Sequence, residues 1–148
     1  MIDFSKIKVR PYPTRSDLLN PYIFGGVRAV INVSEKEDKE ICDFYQERGI
    51  DYHHYPLKEN VNDMGWDNII AAVKILINNL KEGIPTVVHC IGGNNRSRVV
   101  VECVYYVIWG KHLADEYKGY SNHLIYNVSM GFLPLDLNEV ESQLKRLY

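Results

Sequence analysis

Cysteine is scarce in this chain: Cys42, Cys90 and Cys103 are the only three in 148 residues. They show no metal-ligand spacing, so the sequence predicts no metal and no cofactor. An odd number of thiols is no disulfide framework, and free thiols fit a reducing, cytoplasmic compartment. Charge of one sign is missing too. There are 17 basic and 19 acidic residues, for a net charge of −2. That balance argues against broad binding to nucleic acid or anionic membrane, while leaving room for a local basic pocket. No apolar run reaches membrane length, and the opening Met1-Ile2-Asp3-Phe4-Ser5-Lys6 has no signal-peptide pattern. Repeats, low-complexity segments and linkers are absent as well. What is present is ordinary for a globular chain: 46% apolar and 24% charged residues. The length suits one domain, residues 1–148, around one core.

The pattern alternates short β-branched runs with amphipathic ones. Residues 27–33 read as a buried strand, and Ser34 with Glu37 predicts a capped helix to about Gln46, ended by Gly49. Residues 50–57 read as the next strand, with His53 and His54 on opposite faces and so unable to share a metal. After a polar loop over 58–67, residues 68–80 are helical, capped by Asp67 or Asp63. Residues 84–89 form the central strand, and a buried helix follows through Tyr106. A turn at 109–112, a short helix over 113–118 and another over 123–130 come next. A break at 131–134 leads to a closing amphipathic helix with Leu137, Val140, Leu144 and Leu147 at helical spacing. Residues 1–21, with Pro11, Pro13 and Pro21, read as extended chain and turns. The whole predicts an α/β fold with a central, mostly parallel twisted sheet flanked by helices.

One stretch organises the rest. Thr86-Val87-Val88-His89 ends at Cys90, and Ile91-Gly92-Gly93-Asn94-Asn95 then curls into a helix that starts at Arg96-Ser97. Gly and Asn tolerate left-handed backbone, so such a loop can aim several N–H groups at one point as an anion nest. Arg96 adds a planar charged fork suited to phosphate oxygens. The same positive surroundings lower the pKa of Cys90 and favour its thiolate. A nucleophile at the floor of an oxyanion cradle points to attack on phosphorus.

The run His89-Cys90-x5-Arg96-Ser97, with Gly93 at the inner glycine, resembles the signature of the cysteine-dependent protein tyrosine phosphatases, in their compact dual-specificity branch. The resemblance implies a phosphocysteine intermediate on Cys90. The amides of Ile91, Gly92, Gly93, Asn94, Asn95 and Arg96, with the Arg96 side chain, would bind the phosphoryl oxygens, and no metal is needed. Ser97 would hydrogen-bond the sulfur and help it leave, and His89 would orient the loop. A general acid is expected on the loop before the preceding helix. Two residues compete for it: Glu59, 31 residues before Cys90, and Asp63, 27 before it. Asp63 is slightly favoured, since the family uses Asp. Asn138 and Gln143-Leu144 resemble the family's tail, and the N-terminal region, Tyr12 included, would help wall the cleft. Cys42 and Cys103 read as helix-core thiols.

The resemblance implies a phosphorylated protein or peptide as partner, and phosphate- or sulfate-type anions in the loop. Relatives that take highly phosphorylated inositol lipids carry basic residues inside the loop. Here the interior holds no lysine, which favours phosphotyrosine, with phosphoserine or phosphothreonine as further substrates. An RNA 5′-triphosphatase is a rival, because that branch also places Asn before the Arg, as Asn95 does. A phosphoprotein-binding pseudophosphatase is a second rival, although such proteins lose the cysteine or arginine that this chain keeps. A rhodanese-like sulfur transferase or an arsenate reductase would also use a cysteine in an anion loop, but small arsenate-type proteins place it near the N-terminus.

Overall fold

The computed structural model of the protein describes residues 2–109 and 122–147. Four strands form one sheet: β1 (Ile7–Arg10), β2 (Ala29–Asn32), β3 (Asp51–His54) and β4 (Thr86–His89). All pairings are parallel, and the spatial order is β1-β4-β2-β3. Arg10 lies opposite His89, His89 opposite Asn32, and Asn32 opposite His54. The C-terminal ends of all four strands are therefore level along one edge, where α/β sheets place their sites.

Helices cover both faces, as a parallel sheet requires. On one side lie α4 (Trp66–Lys81), α5 (Arg96–Trp109), α6 (Asn122–Ser129) and α7 (Leu137–Leu144). They share a core with Ile31, Val33 and Val88. On the other side, α1 (Arg15–Leu19), α2 (Pro21–Phe24) and α3 (Lys39–Glu47) cover Val30 and Val87. Val87 and Val88 thus anchor opposite cores from adjacent positions, which is the period-2 alternation of a strand.

The N-terminal region is more ordered than the prolines suggest. It contributes β1, which pairs with the central strand β4 along its whole length. It also supplies α1, opened by a capping box between Thr14 and Asp17, and α2, with Asn20 as cap and Pro21 at its first turn. Helix α3 starts at Lys39, later than the Ser34 cap predicts, because the Ser34 side chain is engaged elsewhere. Its hydroxyl donates to Asn32 Oδ1 at 2.7 Å, and its backbone N–H donates to the same oxygen at 2.9 Å. Strand β3 stops at His54, ahead of Pro56, which has no N–H to give a ladder. His54 turns to Ser34 and Glu37, while His53 stacks along Tyr55 on the other face. The expected turn at 109–112, beyond Trp109, and the helix over 113–118 lie outside the described residues. No helix among the described residues is long and apolar enough to cross a membrane.

Candidate active site

The loop from Cys90 to Asn95 joins the end of β4 to the first turn of α5. Its shape follows from its neighbours. Tyr12 N–H donates to Ile91 O at 2.8 Å and Val33 N–H donates to His89 O at 2.9 Å, so the residues just past β1 and β2 hold the start of the loop from both sides. Gly93 sits at φ +71°, and a Cβ there would stand 2.9 Å from Arg10 C and from Pro11 N. Only glycine fits that close approach in a left-handed conformation.

Cys90 is 2% exposed, at the floor of a cleft of about 330 Å³ lined by Glu59, Ile91, Gly92, Asn94, Asn95 and Arg96. Its sulfur lies 3.3 Å from Ser97 Oγ and accepts the Gly93 N–H at 3.2 Å. Burial alone would push this thiol up. Hydrogen bonds from the Ser97 side chain and backbone and from Gly93, with the Arg96 charge, outweigh it and hold the thiol below its ordinary value. A larger cleft of about 510 Å³, between α1 and α3, is lined by Arg15, Lys39, Glu40 and Phe44 among others and, among the described residues, by no cysteine, serine or threonine.

Arg96 is buried beside the thiol. Nη1 donates to Leu57 O at 3.1 Å, which aims the guanidinium along the cleft. Nε lies 3.4 Å from Glu59 Oε1, but without hydrogen-bond alignment, so among the described residues this buried donor has no hydrogen-bond partner. A buried donor without an acceptor is costly, and an anion in the cleft would relieve it.

The structure separates the two carboxylates. Glu59 lines the cleft and meets Arg96. Asp63 is turned to α4, where Oδ1 accepts the N–H of Gly65 at 2.8 Å and of Trp66 at 3.2 Å. Gly65, at φ +116°, makes the turn that lets Asp63 cap the helix from two residues further out. Asp67 falls within the first turn of α4.

His89 is fully buried behind the loop. Its Nε2 meets Tyr45 OH at 3.2 Å and its ring stands edge-on to Tyr12. Burial pushes it down to about 4, so the ring is neutral at pH 7. Tyr12 is not among the residues lining the cleft; its hydroxyl accepts from Asp38 N–H at 2.9 Å. Two further contacts are invisible in the sequence because they join distant positions. Asn127 on α6 donates to Asn95 Oδ1 at 2.7 Å, and Trp66 Nε1 donates to Gln143 Oε1 at 2.6 Å.

Comparison with known proteins agrees with this geometry. The family model for cyclin-dependent kinase inhibitor 3 (CDKN3) matches residues 23–115, from α2 to beyond α5. The chain belongs to that family. It is a dual-specificity phosphatase family within the cysteine-dependent tyrosine phosphatase superfamily, and this chain is a phosphatase of that superfamily. No curated protein sequence matches the chain. Among solved structures, Tk-PTP in its active form is 18% identical, with a TM-score of 0.68 over 95% of this chain and 91% of that one. The core catalytic domain of the PP-IP phosphatase SIW14 from S. cerevisiae, in complex with citrate, is 14% identical, with a TM-score of 0.65 over 96% and 85%. PTPMT1 is 14% identical, with a TM-score of 0.66 over 95% and 90%. At these identities the likeness is one of fold.

Proposed function

We propose that this family member hydrolyses phosphotyrosine in proteins, with phosphoserine or phosphothreonine as further substrates, through a phosphocysteine on Cys90. The observation that carries the reading is the Cys90 sulfur. It lies at the floor of an anion cleft with Gly93 N–H, Ser97 Oγ and the Arg96 guanidinium around it. The thiolate attacks phosphorus in line, the Cys90–phosphorus bond forms, and the bond to the leaving oxygen breaks. The loop amides and Arg96 hold the equatorial oxygens as charge develops. Glu59 is the residue proposed to protonate the leaving oxygen. Its carboxylate stands at the lip of the cleft on the Arg96 side, and a bound phosphoryl group would take over Arg96 and release it. Water then hydrolyses the phosphocysteine, with Ser97 donating to the departing thiolate.

The lining of the cleft supports a protein substrate. Among the described residues that line it, Arg96 is the one cation, whereas a phosphoinositide carries several phosphates to neutralise. Ile91 is 45% exposed at the lip and offers an apolar surface to an aromatic ring. Neighbours of this fold include a PP-IP phosphatase and PTPMT1 in complex with PI(5)P, so inositol phosphates belong in the test. Phosphate release is measured with chelator present on phosphotyrosine and phosphoserine peptides, inositol phosphates and triphosphorylated RNA. Turnover is expected on phosphotyrosine peptide, and Cys90→Ser is expected to abolish it. Faster turnover of an inositol phosphate or of RNA would overturn the substrate assignment. Tight phosphopeptide binding without turnover would overturn the enzymatic one.

A further inference from the structure

We propose that the side-chain amide of Asn95 donates a hydrogen bond to the bound phosphoryl group, and that Asn127 is the positioning residue that sets its orientation. The proposal rests on the phosphatase reading of the cleft and adds a donor to the backbone cradle and Arg96.

The orientation follows from chemistry. Asn127 is 1% exposed, and its Nδ2 lies 2.7 Å from His123 O and 2.7 Å from Asn95 Oδ1. A backbone carbonyl only accepts, so the Asn127 atom facing His123 is the nitrogen. The same nitrogen faces Asn95, so the Asn95 atom that meets it is the oxygen. This network fixes both amides, whose nitrogen and oxygen ends are otherwise interchangeable. The NH2 end of Asn95 is thereby turned away from α6. Among the described residues it donates to no protein group, and Asn95 lines the cleft beside Cys90 and Arg96. A free amide donor at the rim of an anion cradle is matched to a phosphoryl oxygen.

The support for this amide runs in a closed circuit. Asn95 immediately precedes α5, and its carbonyl accepts the N–H of Val99. Glu102, further along α5, accepts the N–H of His123 at 2.9 Å and of Leu124 at 3.1 Å, which pins the start of α6. One turn on, Asn127 returns to Asn95. The amide is thus held by α6, which is itself pinned to the helix that the loop begins.

The test measures inhibition by inorganic phosphate, and kcat and KM for an aryl phosphate, in wild type, Asn95→Ala, Asn95→Asp, Asn127→Ala and the Asn95→Ala/Asn127→Ala double variant. Asn95→Ala is expected to weaken phosphate binding roughly tenfold. Asn95→Asp is expected to weaken it further. That side chain still accepts from Asn127, and so stays in place, but turns a like charge toward the anion. Asn127→Ala is expected to weaken phosphate in the wild-type background and to add nothing once Asn95 is alanine, because it acts through that side chain. Unchanged phosphate binding in Asn95→Ala and Asn95→Asp overturns the donor. An Asn127→Ala effect that persists in full without the Asn95 amide overturns the positioning role. A wild type that neither binds phosphate nor hydrolyses the ester overturns the phosphatase reading itself, a result distinct from either.

Discussion

Gly93 is where the Cys90 sulfur and a close backbone approach meet. Its N–H points at the Cys90 sulfur, and its missing Cβ leaves room for the backbone of Arg10 and Pro11. A methyl group there would strike main-chain atoms, which cannot rotate aside, in a left-handed conformation that disfavours any side chain. Gly93→Ala is therefore expected to cost roughly 1–3 kcal/mol in stability and to weaken phosphate inhibition as the loop shifts off the sulfur. Gly92→Ala is the control, because its Cβ would meet only Asn94 Nδ2, at 3.7 Å. Chemical denaturation of the two variants checks this, and equal stability would refute it. At this scale the sequence is highly legible. The cysteine, the glycines and the arginine lie within seven residues, so their chemistry is spelled out locally. Asn127 was not legible, since it meets Asn95 across 32 positions and nothing in its own neighbourhood marks it.

Among the elements, the segment between β3 and α4 divides its acidic residues between two tasks. Asp63 is slightly favoured by side-chain type as the acid, yet its oxygen is committed to the first amides of α4, while Glu59 reaches the cleft. Asp63→Ala is expected to remove a cap and cost about 1 kcal/mol, with turnover retained. Glu59→Gln is expected to leave stability within about 0.5 kcal/mol and to lower kcat by roughly 10²-fold or more, with the basic limb of the pH–rate profile lost. Denaturant midpoints measured beside pH profiles separate the two, and the reverse assignment follows if Asp63→Ala keeps its stability and loses that limb. Sequence alone left both roles open for Asp63, because a cap and a catalytic acid want the same carboxylate on the same loop. It misplaced the start of α3 for a related reason. Ser34 has the composition of a cap, but Asn32 at the end of β2 takes its hydroxyl first. The existence and type of α4 and α7 were legible from apolar periodicity, and α5 from the length of the apolar run that follows the loop. Strand β1 was not, since four residues between a short leader and two prolines carry too little pattern.

Across the whole molecule, two buried ionisable groups on the two sides of the central strand act in opposite directions with pH. His89, packed against Tyr45 and Tyr12, is pushed down to about 4 by burial. Between pH 6.5 and 4 the unfolded chain takes up a proton there that the folded chain refuses, so this group lowers stability as pH falls through that window. Glu102, on α5 under the start of α6, is pushed up to about 7 by burial, against the hydrogen bonds from Leu124 and His123. Between pH 4.5 and 7 the folded chain keeps a proton that the unfolded chain has released, so this group's contribution is full at low pH and is lost as pH rises through 7. Each displacement corresponds to on the order of 3 kcal/mol. Over their shared range the two slopes offset each other in the wild type, and removing either group uncovers the other. Relative to wild type, Glu102→Gln is expected to gain stability steadily as pH is raised from 4.5 to 7. His89→Gln is expected to gain it as pH is lowered from 6.5 to 4. Urea unfolding of the three proteins across that range reads the difference directly, and parallel curves would mean that neither group keeps its buried, displaced titration in the folded chain. The same two residues hold the loop from behind and brace α6, which carries Asn127. Between about pH 4 and pH 7 the folded chain keeps His89 neutral and Glu102 protonated, so the tilt of each variant's curve arises from titration of the unfolded chain and not from a change in the cleft.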